Sequence, residues 1–368
     1  MRMKLINRYA LGLVLLTGCL SPGDDRVLAD MSVGLADVEG LNVRVENGLA
    51  AIRNAGQGEL TLWAQAPAFS IEVASSRSQT LRLEILNCMP DAVGLLNNQP
   101  QVRLESETST RCLFDLSVPS GSSTLHIAPS DWDEPTEFIF ADMGDIQKAL
   151  SDVDDVFQAI SDTPELRFVM STGDITESAQ NSEYELFEEK LSALNIPYFS
   201  TIGNHELTND FSRWTRRFGL FSIHFEFTGV RFSFVDSGNA SISPLLQDRL
   251  DGWLDASKDD VHIFGTHYPL IDPVGSRGGD FRSRLEGHNI LAKLVKGNID
   301  LALYGHIHSY YNYDNAGVPS VISGGGGALP EKFDGVGRHF LKVTVSAEEG
   351  SVRSVERCDL MGRRAECR

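Results

Sequence analysis

The sequence has few basic residues and no run of them. Its 368 residues include 32 Lys and Arg against 51 Asp and Glu, which gives a formal net charge of -19. Such a field repels the phosphate backbone of nucleic acids, so we exclude nucleic-acid binding through a basic patch. An acidic protein can still bind a phosphate group where metal ions reverse the local potential of a pocket.

Long hydrophobic runs are also missing. The apolar stretch at 9–16 follows three basic residues, Arg2, Lys4 and Arg8, and is too short to span a bilayer. A basic segment followed by a short apolar one is typical of an export signal. With 42% hydrophobic and 23% charged residues, the chain as a whole has the composition of a folded rather than a disordered protein.

The export signal ends in Leu16-Thr17-Gly18-Cys19, which resembles the lipobox of bacterial lipoproteins. The resemblance implies that residues 1–18 are a lipoprotein signal peptide and that a lipid on Cys19 tethers the protein to a membrane. A plain signal peptide with a chance cysteine is the alternative. By analogy with that class, Leu20 favours the outer membrane of a bacterial cell envelope, with the protein facing the periplasm or the surface.

Cysteine is scarce, and no C-x-x-C pair occurs among the five cysteines, which argues against metal binding by thiolates. With Cys19 set aside, four cysteines remain for disulfides in an oxidising compartment. The simplest pairing is Cys88 with Cys112 and Cys358 with Cys367, although four cysteines allow three connectivities.

The pattern of the chain changes near residue 131. We expect a polar tether at 19–27, followed over 28–130 by short alternating runs that predict the antiparallel strands of a small all-β sandwich domain. The clearest of these runs lie at 41–45, 59–63, 81–85 and 113–116. No convincing helical period occurs in this part.

From 135 to 368 predicted strands alternate with predicted helices, which indicates a layered α/β domain. The strands are expected at 138–141, 167–170, 198–202, 232–235, 261–264 and 299–303. Helices are expected at 146–160, from a capping box of Ser182 and Glu185 to about 194, at 244–256 and at 289–295. The alternating tail at 340–355 predicts additional edge strands.

Metal-binding residue types follow five of these predicted strands directly. They are Asp142, Asp174, Asn204, His267 and the pair His306 and His308. Loops that follow neighbouring strands of an α/β sheet converge at its carboxyl edge, so these side chains are expected to meet. Carboxylates can neutralise two cations roughly 3.5–4 Å apart, and imidazole and amide groups complete the coordination without adding negative charge.

This ordered set resembles the motifs of the calcineurin-like metallophosphoesterase superfamily over about residues 135–345. The resemblance implies an α/β fold, a layered sandwich of mixed β-sheets flanked by helices, here preceded by the small all-β domain. It also implies two divalent metal ions, such as Mn, Fe or Zn. The expected activity is hydrolysis of a phosphomonoester or phosphodiester substrate by a metal-bridging hydroxide. Less specific similarities occur around Asp236-Ser237 and in the glycine loop at 324–327.

The resemblance assigns a role to each residue of the set. The bridging ligand is implied to be Asp174, the first metal is held by Asp142 and His308, the second by Asn204, His267 and His306, and the general acid is His205. An imidazole suits proton transfer near neutral pH.

The first motif departs from the usual pattern. Most members have Asp-x-His, whereas Gly144 stands at the third position here. Asp-x-Gly is the form of purple acid phosphatases, which add a ligating tyrosine three positions after the bridging aspartate. That position is Glu177, so the first metal is one familiar ligand short by both patterns, and two divalent ions are expected instead of a ferric–divalent pair.

Glu177 has three interpretations: it orients His205 as a catalytic support, it fills the missing ligand position, or it is a solvated loop residue. The weak first motif also leaves an alternative to the enzyme, a non-catalytic binding or scaffold lipoprotein that retains the fold, and a third possibility, an enzyme with one metal. Asp280, Arg282 and Arg284 are interpreted first as a solvated loop, with substrate contact as the alternative. Tyr310 and Tyr311 carry a weak signal for the cleft, and structural roles are expected for His224, His262 and His288.

Overall fold

The structure is a computed structural model that describes residues 21–275, 278–362 and 364–368. The predicted signal peptide at 1–18 and the predicted lipidation site Cys19 lie outside the described residues and stay predictions. Among the described residues, no helix combines the length and the apolar character that a membrane crossing requires.

The amino-terminal part consists of two β-sheets that share one core. Its strands are β1 (Leu35–Val38), β2 (Leu41–Val45), β3 (Ala50–Gly56), β4 (Glu59–Ala64), β5 (Phe69–Ser75), β6 (Gln79–Leu86), β7 (Val93–Leu96), β8 (Gln99–Gln101), β9 (Arg103–Leu104), β10 (Arg111–Val118) and β11 (Gly121–Ala128). One sheet has the order β1-β2-β5-β11-β7-β8 and the other β3-β4-β6-β10-β9. Ile71 and Leu125 of the first sheet pack with Leu83 and Phe114 of the second, because alternate side chains face inward.

This all-β arrangement agrees with the expected sandwich, with one correction. The expectation of purely antiparallel strands is wrong for β4 and β6, which pair in parallel from Glu59 opposite Arg82 to Trp63 opposite Leu86. The predicted disulfide between Cys88 and Cys112 is present and joins the segment after β6 to β10.

The carboxy-terminal part contains two six-stranded mixed sheets. Its strands are β12 (Glu137–Asp142), β13 (Leu166–Ser171), β14 (Tyr198–Ser200), β15 (Ile223–Phe227), β16 (Val230–Val235), β17 (Val261–Thr266), β18 (Leu301–Tyr304), β19 (Tyr310–Asn315), β20 (Val318–Ser323), β21 (His339–Ser346), β22 (Ser351–Met361) and β23 (Arg364–Cys367). The orders are β14-β13-β12-β21-β22-β23 and β15-β16-β17-β18-β20-β19. The second predicted disulfide, Cys358 with Cys367, links β22 to β23.

Phenylalanines fill the space between these two sheets. Phe140 on β12 and Phe168 on β13 contact Phe232 on β16 with ring centroids 5.3 and 5.6 Å apart, in edge-on geometry. Such buried aromatic contacts stabilise the packing of one sheet on the other.

The described residues also form α-helices. They are α1 (Asp24–Asp30), α2 (Asp154–Ser161), α3 (Asn181–Lys190), α4 (Ser212–Arg217), α5 (Pro244–Ala256) and α6 (Arg284–Lys296). The layered α/β architecture expected from the sequence is therefore confirmed.

Two helix predictions need correction. The expected helix at 146–160 is divided into a 3₁₀ segment, Gln147–Asp152, and α2, separated at Val153. The capping box of α3 is formed by Gln180 and Glu183, not by Ser182 and Glu185, because Glu183 accepts hydrogen bonds from the backbone N–H groups just before the helix.

The segment expected to be a tether is in large part a docked helix. Arg26 and Val27 of α1 are buried, and Arg26 donates from Nε to Asp236 Oδ2 over 2.6 Å. Asp24 accepts a hydrogen bond from Ser243 at the start of α5. The expected boundary near residue 27 is therefore wrong, because a buried ion pair joins this segment to the carboxy-terminal part.

The buried carboxyl group of Asp30, at the end of α1, should make the free energy of unfolding depend on pH. Burial raises the pKa of Asp30 from 3.8 to about 8, with help from Asp236. The folded state therefore binds a proton that the unfolded state loses above about pH 4, so this group lowers stability as pH rises from about 4 to about 8. We expect Asp30→Asn to flatten that dependence in urea unfolding at pH 5 and pH 8.5. The exposed Asp248→Asn variant is the matched control, and a wild-type slope in Asp30→Asn contradicts the prediction.

Candidate metal centre

Three of the predicted ligands, Asp174, His267 and His306, come together near the carboxyl ends of strands of the two mixed sheets. Asp142 ends β12, whereas His267 follows β17 and His306 follows β18. One ligand atom from each of Asp174, His267 and His306 lies within 4.8 Å of the others. Loops after parallel neighbours converge there, as the strand-end placement in the sequence predicts.

Asp174 is at the centre of this cluster and is fully buried. Its Oδ2 accepts a hydrogen bond from Gln147 Nε2 at 2.9 Å and lies 3.3 Å from His267 Nε2 and 4.0 Å from His205 Nε2. Its Oδ1 accepts from the backbone N–H of His205 at 2.9 Å. A Cβ at Gly203 would stand 2.1 Å from that Oδ1, so only glycine permits this close approach.

Two histidines are held with Nε2 facing the cluster. His267 Nδ1 donates to the carbonyl of Thr172 at 3.1 Å, and His308 Nδ1 donates to the carbonyl of Leu329 at 2.8 Å. A carbonyl partner on Nδ1 fixes the tautomer that leaves an Nε2 lone pair for a metal. Asn204 Oδ1 lies 3.1 Å from His267 Nε2, so it belongs to the same group of ligands.

The buried carboxylates leave a charge that a cation would balance. Both oxygens of Asp142 are buried without a hydrogen-bond partner among the described residues. Burial and the nearby Asp145 raise the pKa of Asp142 well above its ordinary value. Burial also opposes ionisation of Asp174 and His267, but their mutual attraction lowers the pKa of Asp174 and raises that of His267 to about 9. Unpartnered buried oxygens beside inward-facing imidazoles fit divalent cations.

The metal-facing cluster is closed on one side and open on the other. Asp142, Asp174 and His267 are fully buried, whereas Asn204 and His306 are half-buried. The His306 ring lies against Tyr268, with centroids 3.9 Å apart. Access to the cluster is therefore on the side of Asn204 and His306. Tyr268 was not singled out from the sequence, since an isolated tyrosine after a strand carries no motif.

Residues 140–310 match the family model described as calcineurin-like phosphoesterase. This segment is a calcineurin-like phosphoesterase domain. The chain is also 29% identical over 177 residues to a probable glycerophosphodiester phosphodiesterase, GpdQ, of Arcobacter nitrofigilis, a match that covers 45% of this chain and 64% of that protein. The match thus spans less than two thirds of the relative's length.

Solved structures include similar folds. A structure of PhoD superposes with a TM-score of 0.48 and 9% identity, covering 82% of this chain and 90% of that chain. A dimetal phosphatase from Danio rerio superposes with a TM-score of 0.48 and 13% identity, covering 64% of this chain and 99% of that one.

Glu177 of the phosphoesterase domain lies beside His205. His205 Nδ1 donates to the Glu177 backbone carbonyl at 2.6 Å, and the Glu177 carboxylate lies 3.6 Å from the same nitrogen. The other carboxylate oxygen is 3.2 Å from Lys148 Nζ. The Glu177 backbone carbonyl therefore holds the His205 ring, and the Glu177 carboxylate lies between His205 and Lys148.

Gly144 of the phosphoesterase domain lies in a crowded part of the site. A Cβ built there would stand 2.4 Å from Oγ1 of the buried Thr172. A histidine at position 144 would therefore displace the Thr172 hydroxyl. The side chains that enter the site from this loop are Asp145 and Gln147, which sequence reasoning missed, although both follow the first motif within three residues.

Glu206 of the phosphoesterase domain has a structural task that the sequence did not reveal. Its carboxylate is buried and accepts hydrogen bonds from the backbone N–H groups of Asp174, Gly203 and Thr176, and from the Thr176 hydroxyl. These four bonds tie the loop after β13 to the loop after β14 and thereby fix Asp174 relative to Asn204.

The weaker sequence signals lie around the phosphoesterase site. Tyr311 donates to Asp334 at 3.1 Å, and the Tyr310 ring lies 4.9 Å from the Arg357 guanidinium. Asp280 and Arg282 lie in the loop after His267, Arg284 begins α6, and His288 is exposed on α6. The structural partners expected for the remaining histidines are present, since Ser233 hydrogen-bonds both His224 and His262.

Proposed function

We propose that this protein is a phosphoesterase that uses two divalent cations to hydrolyse a phosphomonoester or phosphodiester. The observation that carries the proposal is the buried Asp174 carboxylate, whose Oδ2 is 3.3 Å from His267 Nε2. The buried oxygens of Asp142, which have no hydrogen-bond partner among the described residues, support it. The residues that would hold the cations are Asp142, Asp174, His308, Asn204, His267 and His306.

Mn, Fe or Zn suits these oxygen and imidazole ligands. When bound, such cations supply an activated water molecule near neutral pH and balance the charge of the phosphate oxygens. Because Glu177 replaces the tyrosine of purple acid phosphatases, two divalent ions are favoured over a ferric–divalent pair. The name of the relative from Arcobacter nitrofigilis supports a diester as the first substrate class to test.

His205 is positioned to protonate the leaving oxygen. Its Nδ1–H is used by the Glu177 carbonyl, so Nε2 is the nitrogen left for proton transfer, and it faces the Asp174 side of the site. His205 is half-buried at the open side, where a substrate would enter. Glu177 and the Asp174 Oδ1 bond to the His205 backbone hold the ring in this place.

This proposal is tested with phosphate esters of graded leaving-group acidity on the metal-loaded protein. Wild type should hydrolyse the esters, and His205→Ala should slow esters of weakly acidic alcohols by about 10²–10⁴-fold, because these need a proton. Esters of acidic phenols should be much less affected. The exposed His288→Ala variant serves as control. No hydrolysis by wild type contradicts the function, and equal losses on all esters contradict the role of His205.

A further inference from the structure

We propose that Asp145 and Gln147 complete the first cation site, where position 144 is glycine instead of the histidine of most family members. Their oxygen atoms make that site oxygen-rich. The inference rests on the proposed function, because it concerns the same cations. It explains how the first motif can work without either of the ligands that the family patterns supply at position 144 or 177.

Asp145 lies between the two histidines of the His306–His308 turn. Both of its carboxylate oxygens accept from the backbone N–H of His306 at 3.1 Å, and Oδ1 lies 3.5 Å from His308 Nε2. Asp145 is fully buried. Two atoms that bind one cation at about 2.1 Å each stand near this separation from one another. The carboxylate is thus placed to share a cation with His308.

Gln147 contacts two of the residues proposed to hold the first cation. Its side-chain nitrogen donates to Asp174 Oδ2 at 2.9 Å and to His308 Nε2 at 3.1 Å, and the residue is only 8% exposed. A half-turn of the carboxamide exchanges its nitrogen for its oxygen, which is a ligand for divalent cations. The same side chain can therefore bridge Asp174 and His308 without a cation and bind the cation when one is present.

The backbone of this loop is held in an unusual shape that brings both side chains inward. Asp145 and Gln147 have φ of 64° and 49°, in the left-handed region that non-glycine residues seldom adopt. The N–H of Asp145 donates to the Gly173 carbonyl, and the N–H groups of Ile146 and Gln147 donate to the Asp174 carbonyl. Such conformations persist where surrounding contacts enforce them, often at functional sites.

The unpartnered oxygens of Asp142 are an independent sign that a cation belongs here. With Asp142, Asp145, Asp174 and the Gln147 oxygen, the first site would offer mostly oxygen and one imidazole, from His308. The second site would have two imidazoles and fewer carboxylates. Oxygen-rich sites favour Mn²⁺ over Zn²⁺ relative to imidazole-rich ones, so the first site should be the one that takes Mn²⁺.

Calorimetric titration of metal-free full-length protein with Mn²⁺, with metal content measured after gel filtration, tests this inference. Wild type should bind two ions. Asp145→Asn and Gln147→Ala should each bind one ion as wild type does and should bind the other ion more weakly, by about 10- to 100-fold or more. The exposed Asp152→Asn and Gln158→Ala variants are matched controls. Gln147→Glu should raise the affinity for the more weakly bound ion, and misfolding cannot produce such a gain.

The outcomes separate this inference from the proposed function. The inference is overturned if Asp145→Asn and Gln147→Ala bind two ions with wild-type affinity, even when wild type hydrolyses esters. It is also overturned if Gln147→Glu shows no gain in affinity. One ion in wild type overturns it as well. Weaker binding of one of the two ions by these variants supports the inference, even if wild type hydrolyses none of the esters.

Discussion

Asp174→Ala is expected to lower hydrolysis of an aryl phosphate by about 10³-fold or more in protein incubated with excess divalent metal. The loss follows because Asp174 Oδ2 is the common neighbour of His267, His205 and Gln147. In the proposed mechanism its removal takes away a negative charge shared by both cation sites and leaves the transition state without several kcal/mol of stabilisation. Initial rates at saturating metal measure the effect.

Two further variants define what Asp174 contributes. Asp174→Asn keeps an oxygen for the His205 N–H but not the charge, so it should be almost as inactive as Asp174→Ala. Asp259→Ala, an exposed carboxylate, should retain wild-type turnover. If Asp174→Ala hydrolyses the ester within a few-fold of wild type, Asp174 is not the bridging ligand and the proposed function fails.

Arg26→Ala should lower the free energy of unfolding by about 3–5 kcal/mol, because it leaves Asp236 buried without its cation. The side chains of Arg26 and Asp236 are only 6% and 4% exposed, and the guanidinium also donates to Asn239 at 2.8 Å. Urea unfolding followed by circular dichroism measures the loss. We also expect weaker hydrolysis, because the neighbouring Ser237 hydroxyl accepts from the Tyr268 N–H next to His267.

The controls for Arg26 separate charge from geometry. Arg26→Lys keeps the charge but cannot reproduce the two-pronged contact with Asp236, so its loss should be intermediate. Arg216→Ala removes a guanidinium that is 65% exposed and should change stability little. The double variant Arg26→Met with Asp236→Leu should be more stable than Arg26→Ala. A urea midpoint of Arg26→Ala equal to that of wild type disproves the importance of this ion pair.

The grouping of the candidate ligands could be predicted because each lies at the end of a buried strand or shortly after it. The apolar runs before Asp142, Asp174 and His267 are visible in the sequence, and strand ends in an α/β sheet converge by geometry. The disulfide pairs were accessible for a similar reason, since each joins cysteines close in the sequence. Local patterns therefore carried most of the fold and the outline of the site.

The environment of Gly144 could not be predicted, because it depends on contacts between loops. The Thr172 hydroxyl that excludes a side chain at 144 comes from the next strand–loop unit. Asp145 and Gln147 enter the site only because the backbone is left-handed at both residues, which their sequence does not demand. The side chains that line this part of the site therefore could not be read from the motif alone.

The helix α1 was missed for a different reason. Seven residues are too few for a convincing helical period, and Asp24, Asp25 and Arg26 have the composition of a solvated linker. The burial of Arg26 and Asp24 depends on Asp236 and Ser243, which lie far along the chain. The parallel pairing of β4 with β6 is likewise a choice between strands that alternation alone cannot reveal.

The strand that ends in Asp142 depends on the last part of the chain. Strand β12 lies between β13 and β21, and Asp142 itself pairs with Leu341, beyond the segment that matches the family model. Without β21, one edge of β12 has unpaired N–H and C=O groups, so the strand that carries Asp142 is fully paired only when the last part of the chain has folded. Damage to the final strands would therefore act like loss of a ligand, although no ligand lies there.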